Sequence, residues 1–382
     1  MGIKRLEIAG FKSIDSIELT DLPNYCVFAG ANGAGKSNFF DAMKFASTVI
    51  DDGAVKAIRR FHGYERIHCV KRRKNEARTF RYACKVELPD TTADYSLEVH
   101  LMNQNPQLKE KLTVNTSKKL NGRLIRVGRV LETESSEGKI RNNIPQEHSL
   151  ISHGYGLKYA HGVTFLPFDF PFWLKDFKVF RFDPLRVREP DDVGADVRFL
   201  DENGRNLTTI LEAMQKRKDE YDTIMEWITM IVPGLVEIHT HRNPLDGRVA
   251  AMFQETGTDY LFPPGVISDG TFYVLCLLAA VLTRFKKPGI TLIEEPESGI
   301  HPKAIEHLSQ FFREHASDEH QIFISTHNES FVRSAKAEEL FFVVKEDGRT
   351  RFRLGRDAAE SVKGMPNDKA WLQNMFDGGL PW

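Results

Sequence analysis

The chain has 382 residues, and its 52 Lys plus Arg against 53 Asp plus Glu leave a formal net charge of −1. That balance excludes a protein that coats nucleic acid by bulk positive charge, and 41% apolar residues exclude a disordered chain. A chain of this size buries roughly 75% of the surface its unfolded form exposes, so its core needs no staples, and its length allows two or three domains or one with insertions.

Cys26, Cys69, Cys84 and Cys276 lie far apart, without zinc-ligand spacing, and are too few for a disulfide framework. They are expected to be reduced and mostly buried, as in a cytoplasmic protein. The longest apolar run, Phe272 to Leu282, is too short to span a bilayer. The N-terminus leads into an alternating strand rather than a signal-peptide core. No membrane partner is expected.

The first stretch reads as strand, turn, strand: Ile3, Leu6 and Ile8, then Gly10-Phe11-Lys12-Ser13, then Ile14 to Leu19. Tyr25 to Ala29 is an apolar run of the buried-strand kind, ending at Gly30, with a helix expected from Lys36 to Val49. Between them Gly30-Ala31-Asn32-Gly33-Ala34-Gly35-Lys36-Ser37 fits G-x-x-x-x-G-K-[ST], with Asn38 next. The context is the one the motif needs, a strand before and a helix after. Glycines let backbone N–H groups converge on phosphate oxygens, and the helix N-terminus adds partial positive charge. Lys36 would reach the β- and γ-phosphates of ATP, and the Ser37 hydroxyl would ligate Mg²⁺.

Residues 79–135 hold short β-like runs separated by Pro, Asn, Asp and Gly, which predicts a mainly antiparallel sheet. Residues 133–160 read as loop. Residues 163–184, rich in Phe and Pro, would return the chain to the core. Asn206 to Ile231 has helical periodicity and ends at Pro233-Gly234. Strands follow at Leu235–His239 and Arg248–Gln254. Then come helix Thr271–Phe285, strand Thr291–Glu295, helix Pro302–Ala316, strand Gln321–Thr326, helix Glu329–Ala335 and strand Leu340–Val344. This alternation implies a parallel sheet covered by helices. No sustained heptad is present, which argues against a long coiled coil.

In an open parallel sheet, ligands sit at the carboxyl ends of the strands. The strand Thr291–Glu295 ends in two acids. Neighbouring residues on a strand point opposite ways, so Glu294 would hold Mg²⁺ and Glu295 would polarise the attacking water; the plain alternative is a pair of helix-entry acids. His327 follows the next apolar strand and would contact the γ-phosphate. Ser268 and Gly270 precede an apolar helix, either as an anion site or as an ordinary N-cap.

The order of these motifs resembles the ABC-type ATPases. Gly10-Phe11-Lys12-Ser13 before an Asn32-containing phosphate loop is similar to the RecF/SMC branch. Ser268-Asp269-Gly270-Thr271, Glu294-Glu295-Pro296-Glu297 with Ser298-Gly299-Ile300-His301-Pro302, and the C-terminal Gly378-Gly379-Leu380-Pro381-Trp382 resemble the AAA-type ATPases related to the OLD and abortive-infection proteins. The resemblance implies an α/β ABC-ATPase head with a P-loop parallel core sheet, an antiparallel β lobe and a helical lobe. It divides the chain into residues 1–182 (lobe I), 183–345 (lobe II) and 346–382 (a C-terminal tail). It implies a homodimer or higher even-numbered oligomer, joined head to tail, with each ATP between one phosphate loop and the Ser268 and Gly270 of the other subunit. Lys12 and Ser13 would lie near the nucleotide. Two departures stand out: the metal-holding acid is Glu294 where the family usually has Asp, and Gln104, Gln107 and Gln146 offer no convincing Mg²⁺-linked glutamine.

Three functions compete at this point. The first is an ATP-hydrolysing switch in antiphage defence with a separately encoded effector, since the 55 residues after His327 are too few for a nuclease domain. The second is a RecF-like DNA-repair ATPase that clamps DNA. Residues 54–130 hold 18 basic and 7 acidic residues, an excess of 11 that suits DNA, an acidic partner or a solvated edge sheet. The third, a transporter subunit, fits the signature and the β insertion least well.

Overall fold

The computed structural model describes residues 2–116, 122–135, 138–144, 149–151, 170–183, 196–285, 287–358, 360–362 and 364–376. In chain order the elements are β1 (Gly2–Phe11), β2 (Ile14–Thr20), β3 (Tyr25–Ala29), α1 (Lys36–Asp52), α2 (Ala54–Arg60), α3 (Tyr64–Ile67) and α4 (Lys74–Ala77). Next come β4 (Phe80–Leu88), β5 (Thr91–His100), β6 (Gln107–Thr116), β7 (Gly122–Val127), β8 (Val130–Ser135) and β9 (Gly138–Asn143). The middle of the chain gives α5 (Phe170–Lys175), β10 (Phe177–Phe180), α6 (Leu207–Gln215), α7 (Lys218–Ile231), β11 (Leu235–Arg242), β12 (Val249–Glu255) and β13 (Leu261–Phe262). The last part gives α8 (Asp269–Leu282), β14 (Gly289–Glu294), α9 (Pro302–His315), β15 (His320–Thr326), α10 (Glu329–Ser334), β16 (Leu340–Glu346), β17 (Arg349–Leu354) and α11 (Asn367–Leu372).

The core sheet runs β10-β14-β15-β3-β16-β17, parallel except for its last strand. Its central strands are buried on both faces, as parallel strands between helices must be. Cys26 and Phe28 of β3 face one core, shared with α1 and the antiparallel sheet. Tyr25, Val27 and Ala29 face the other, shared with α6 to α11. Phe28 packs against Phe39 of α1, Phe323 of β15 and Phe341 of β16, with ring centroids 4.8, 5.5 and 5.1 Å away. This aromatic cluster fixes α1 beneath the sheet and so sets where the phosphate loop points.

The second sheet, β2-β1-β4-β5-β6-β7-β8-β9, is antiparallel throughout and extends further than the sequence suggests. β9 occupies residues expected to be loop; its Gly-Lys-Ile-Arg-Asn-Asn lacks an apolar face and is held to β8 by its backbone ladder and by the ion pairs of Lys139 with Glu134 and Arg141 with Glu132, each across the register. The helical stretch 206–231 is two helices that break at Lys216 and Arg217. The periodicity runs through the break because both helices bury one face in the same core. Segment 346–382 contributes β17 to the core-sheet edge and buries Trp371 against Phe342. All four cysteines are buried. Among the described residues no helix is long and apolar enough to cross a membrane. Gln146, Lys118, Lys119 and residues 378–382 lie outside the described residues.

Candidate nucleotide site

The register of the parallel strands gathers the candidate residues at one edge. Glu294 of β14 pairs with Ser325 of β15, and Thr326 pairs with Ala29 of β3. The Gly30 N–H then donates to the Thr326 carbonyl at 3.1 Å. The phosphate loop, the two acids and His327 therefore leave the sheet side by side.

The loop is built from the backbone. A Cβ on Gly30 would lie 2.3 Å from the Val343 carbonyl oxygen, so only glycine lets β3 pass β16 here. Gly35 sits at φ 114, and a Cβ there would meet the Thr350 hydroxyl at 2.0 Å. Gly35 offers no side-chain cap to α1, so the first-turn N–H groups remain available to an anion. Asn32, Gly33 and Ser37 are exposed, Ala31 and Asn38 partly so, and Ala34 and Lys36 buried. Lys36 Nζ donates to the carbonyls of Gly30 (2.7 Å) and Ala31 (3.1 Å). Burial pulls its pKa down, while Glu295, Glu297 and Glu294 push the other way. Lys36 thus lies within electrostatic reach of all three acids.

Ser37 Oγ donates to Glu294 Oε2 at 3.1 Å, joining the two residues expected to hold a metal. Glu295 does not continue the strand, as expected from sequence, but turns out of it at φ 47. Its carbonyl accepts from Tyr273 Oη (2.9 Å), Ser298 Oγ (3.0 Å) and Ser298 N (3.1 Å). These bonds hold a conformation that a side chain bearing Cβ rarely adopts. The two acids part at a left-handed corner rather than by strand alternation.

His327 Nδ1 lies 3.5 Å from Glu295 Oε1 and 3.3 Å from Glu297 Oε1. Glu297, not singled out from sequence, is the buried member of this group. Its Oε1 accepts from Thr326 Oγ1 (2.8 Å) and from the His327 N–H (3.0 Å), and its buried Oε2 has no partner among the described residues. Burial raises its pKa against those hydrogen bonds. His301 caps α9, its Nδ1 accepting from the Lys303 N–H at 3.2 Å.

Lys12, at φ 48 in the β1–β2 turn, pairs with Asp41 of α1 at 2.5 Å. Ser13 bonds Thr350 Oγ1 (2.7 Å) and accepts from Asn38 Nδ2 (2.7 Å); Thr350 Oγ1 in turn donates to the Ala34 carbonyl (3.0 Å). Ser13 therefore braces the phosphate loop from behind. Ser268 caps α8, accepting from the Thr271 N–H at 3.2 Å. Gly270 lies against the Gly299 carbonyl, 3.0 Å from where its Cβ would be. Among the described residues no hydrogen bond joins Ser268 or Gly270 to residues 30–38. Arg181, just beyond β10, is a member the sequence did not signal: its Nη2 contacts Glu294 Oε1 at 2.6 Å and Asp41 Oδ1 at 2.7 Å.

A P-loop between β3 and α1, acids ending β14 two strands away in the same parallel sheet and an antiparallel lobe packed beside them define an ABC-type ATPase head. The crystal structure entitled "SmcHead bound to the C-winged helix domain of ScpA" shares this fold, with a TM-score of 0.55 at 15% identity over 92% of this chain and 97% of that one. Two further SMC heads, from Thermotoga maritima and Pyrococcus furiosus, align at TM-scores of 0.44 and 0.48, each at 15% identity. They cover 93% and 95% of this chain and 99% and 98% of their own. Residues 26–333 match the family described as "AAA domain, putative AbiEii toxin, Type IV TA system", and the chain belongs to that family of ATPases. Among the described residues it has no coiled-coil arm; the longest helix, α1, has 17 residues. No curated protein matches the sequence.

Proposed function

We propose that the protein is an ATP-driven switch whose nucleotide site is built by Gly30 to Asn38, Glu294, Glu295 and His327. The observation that carries this reading is the convergence of Ser37, Glu294, Glu295 and His327 on one sheet edge. Lys36 would exchange its loop carbonyls for phosphate oxygens. Ser37 and Glu294 suit Mg²⁺: they offer hard oxygens, and Mg²⁺ takes only one or two protein ligands beside phosphates and waters. When bound, the metal would neutralise charge on the β- and γ-phosphates. Glu295 would accept the proton of the attacking water, and His327, beside it and Glu297, would meet the γ-phosphate. Lys12 and Ser13 would act at the loop's rear, and Ser268 and Gly270 would close on the ATP of a second copy in a head-to-tail dimer.

The family description, which names an AbiEii-type toxin of a type IV toxin–antitoxin system, is compatible with a place in antiphage defence, and this reading assigns the protein a separately encoded effector as partner. A neighbouring gene for a nuclease or toxin is the expected genomic finding. The test of the switch is Glu295→Gln with Mg²⁺ and ATP: turnover falls about 10²- to 10⁴-fold, and light scattering detects a trapped dimer that Ser268→Arg abolishes. Undiminished turnover would remove Glu295 as the base. An unchanged ATP-dependent dimer in Ser268→Arg would remove the trans site.

A second reading, a RecF-like DNA clamp, is favoured by the exposed Arg59, Arg66, Lys71, Arg73 and Arg123 within the basic segment 54–130. It predicts DNA-stimulated turnover with a steep salt dependence.

A further inference from the structure

We propose that Arg181 is a cation gate on the metal end of this site, holding Glu294 and Asp41 until nucleotide arrives and so making divalent-metal entry depend on nucleotide. The inference rests on the reading of Ser37 and Glu294 as the metal end.

The placement follows from register. β10 pairs in parallel with β14, Phe180 opposite Ile293, so the residue after β10 comes level with Glu294. One guanidinium nitrogen bridges two acids from different elements, Glu294 from the sheet and Asp41 from α1. The other oxygen of each acid is taken as well: Lys12 Nζ holds Asp41 Oδ2, and Ser37 Oγ holds Glu294 Oε2. Two carboxylates and two cations thus balance the cluster by themselves.

A divalent ion approaching Glu294 alone meets a positive charge already on the carboxylate. The same ion arriving with a nucleoside triphosphate brings anionic oxygens that can take over the guanidinium. Arg181 also has room to leave. Its side chain is 49% exposed and borders two cavities. One, about 580 Å³, is lined by Lys12, Asp41, Lys44, Arg60 and Arg66; the other, about 600 Å³, is lined by Lys178, Phe199 and Glu202.

The test is Mn²⁺ titration of the full chain, read by electron paramagnetic resonance of free Mn²⁺, with and without ATP. Wild type should bind Mn²⁺ weakly alone and tightly with ATP. Arg181→Ala and Arg181→Gln should bind Mn²⁺ without nucleotide about tenfold more tightly than wild type, because a unit charge beside the metal is gone. Arg181→Lys should stay near wild type. Cooperative thermal unfolding of each variant confirms that it is folded. If neither Arg181→Ala nor Arg181→Gln binds Mn²⁺ more tightly than wild type, the gate is overturned. If in addition Glu294→Gln weakens Mn²⁺ binding in the presence of ATP, the metal-end reading stands without the gate. If the gain in Arg181→Ala survives Glu294→Gln, the metal-end reading falls and the gate with it.

Discussion

The two large sheets handle charge in opposite ways. In the antiparallel sheet, opposite charges meet across strands and cancel. Glu110 and Arg126 are register partners on β6 and β7, 2.8 Å apart, both at 0% side-chain exposure. Glu110 also accepts from Tyr95 Oη (2.7 Å), Ser149 Oγ and the Leu150 N–H. On the surface Arg81 pairs with its register partner Glu98. At the edge of the parallel sheet, acids from Glu294 to Glu297 crowd around one buried lysine, and Glu297 has an oxygen with no partner among the described residues. The first sheet pairs opposite charges across its strands; the second gathers acids from neighbouring positions at one edge.

Removing Glu110 should break this contrast most severely. Glu110→Ala takes the paired carboxylate from a fully buried guanidinium, and about 3–5 kcal/mol of stability should be lost in denaturant titration. A loss under about 1 kcal/mol would mean that the pair is hydrated and no different from a surface pair.

A smaller effect should come from the base of the parallel sheet. His320 Nε2 meets Thr291 Oγ1 at 2.7 Å and its Nδ1 meets the Lys287 carbonyl at 2.8 Å. Burial, aided by Arg284, pulls its pKa down to about 4. The unfolded chain protonates this group near its ordinary value of about 6.5, so between those values the unfolded state binds more protons. Stability is therefore retained above the window and lost on acidification through it, by about 3 kcal/mol at the acid end. Melting curves from pH 7 to pH 4 should show a steeper loss in wild type than in His320→Gln; parallel curves would contradict the assignment.

The smallest effect belongs to the exposed pairs. Arg81→Ala should change stability by less than about 1 kcal/mol, and a larger change in denaturant titration would show that the outer ladder also fixes the sheet.

The sequence made the parallel half legible because its function is tied to spacing: a glycine loop after an apolar strand, acids at the next strand's end and a histidine after the third. Glu295's left-handed turn was not legible, since it depends on Tyr273 and Ser298 arriving from elsewhere. Arg181 follows a Phe-rich strand with no motif, and only the β10–β14 register gives it meaning. β17 gives no signal in the sequence, because Arg-Thr-Arg-Phe-Arg-Leu carries too little apolar character to mark an edge strand. Glu110 did leave a signal: it falls in the inward phase of β6, between buried Leu108 and Leu112. The basic excess of residues 54–130 is partly spent inside the fold, on Arg72 with Asp15 and Arg126 with Glu110, which sequence counting cannot register.

The central claim is that the proposed nucleotide site at the edge of the parallel sheet performs the ATPase reaction. Its most direct test is ATP hydrolysis by Lys36→Ala beside wild type at saturating Mg²⁺, with folding of both checked by thermal melting. The account predicts a folded variant whose turnover falls about 10²- to 10³-fold through loss of the phosphate-loop lysine's charge. A folded Lys36→Ala protein that hydrolyses ATP at the wild-type rate would contradict it.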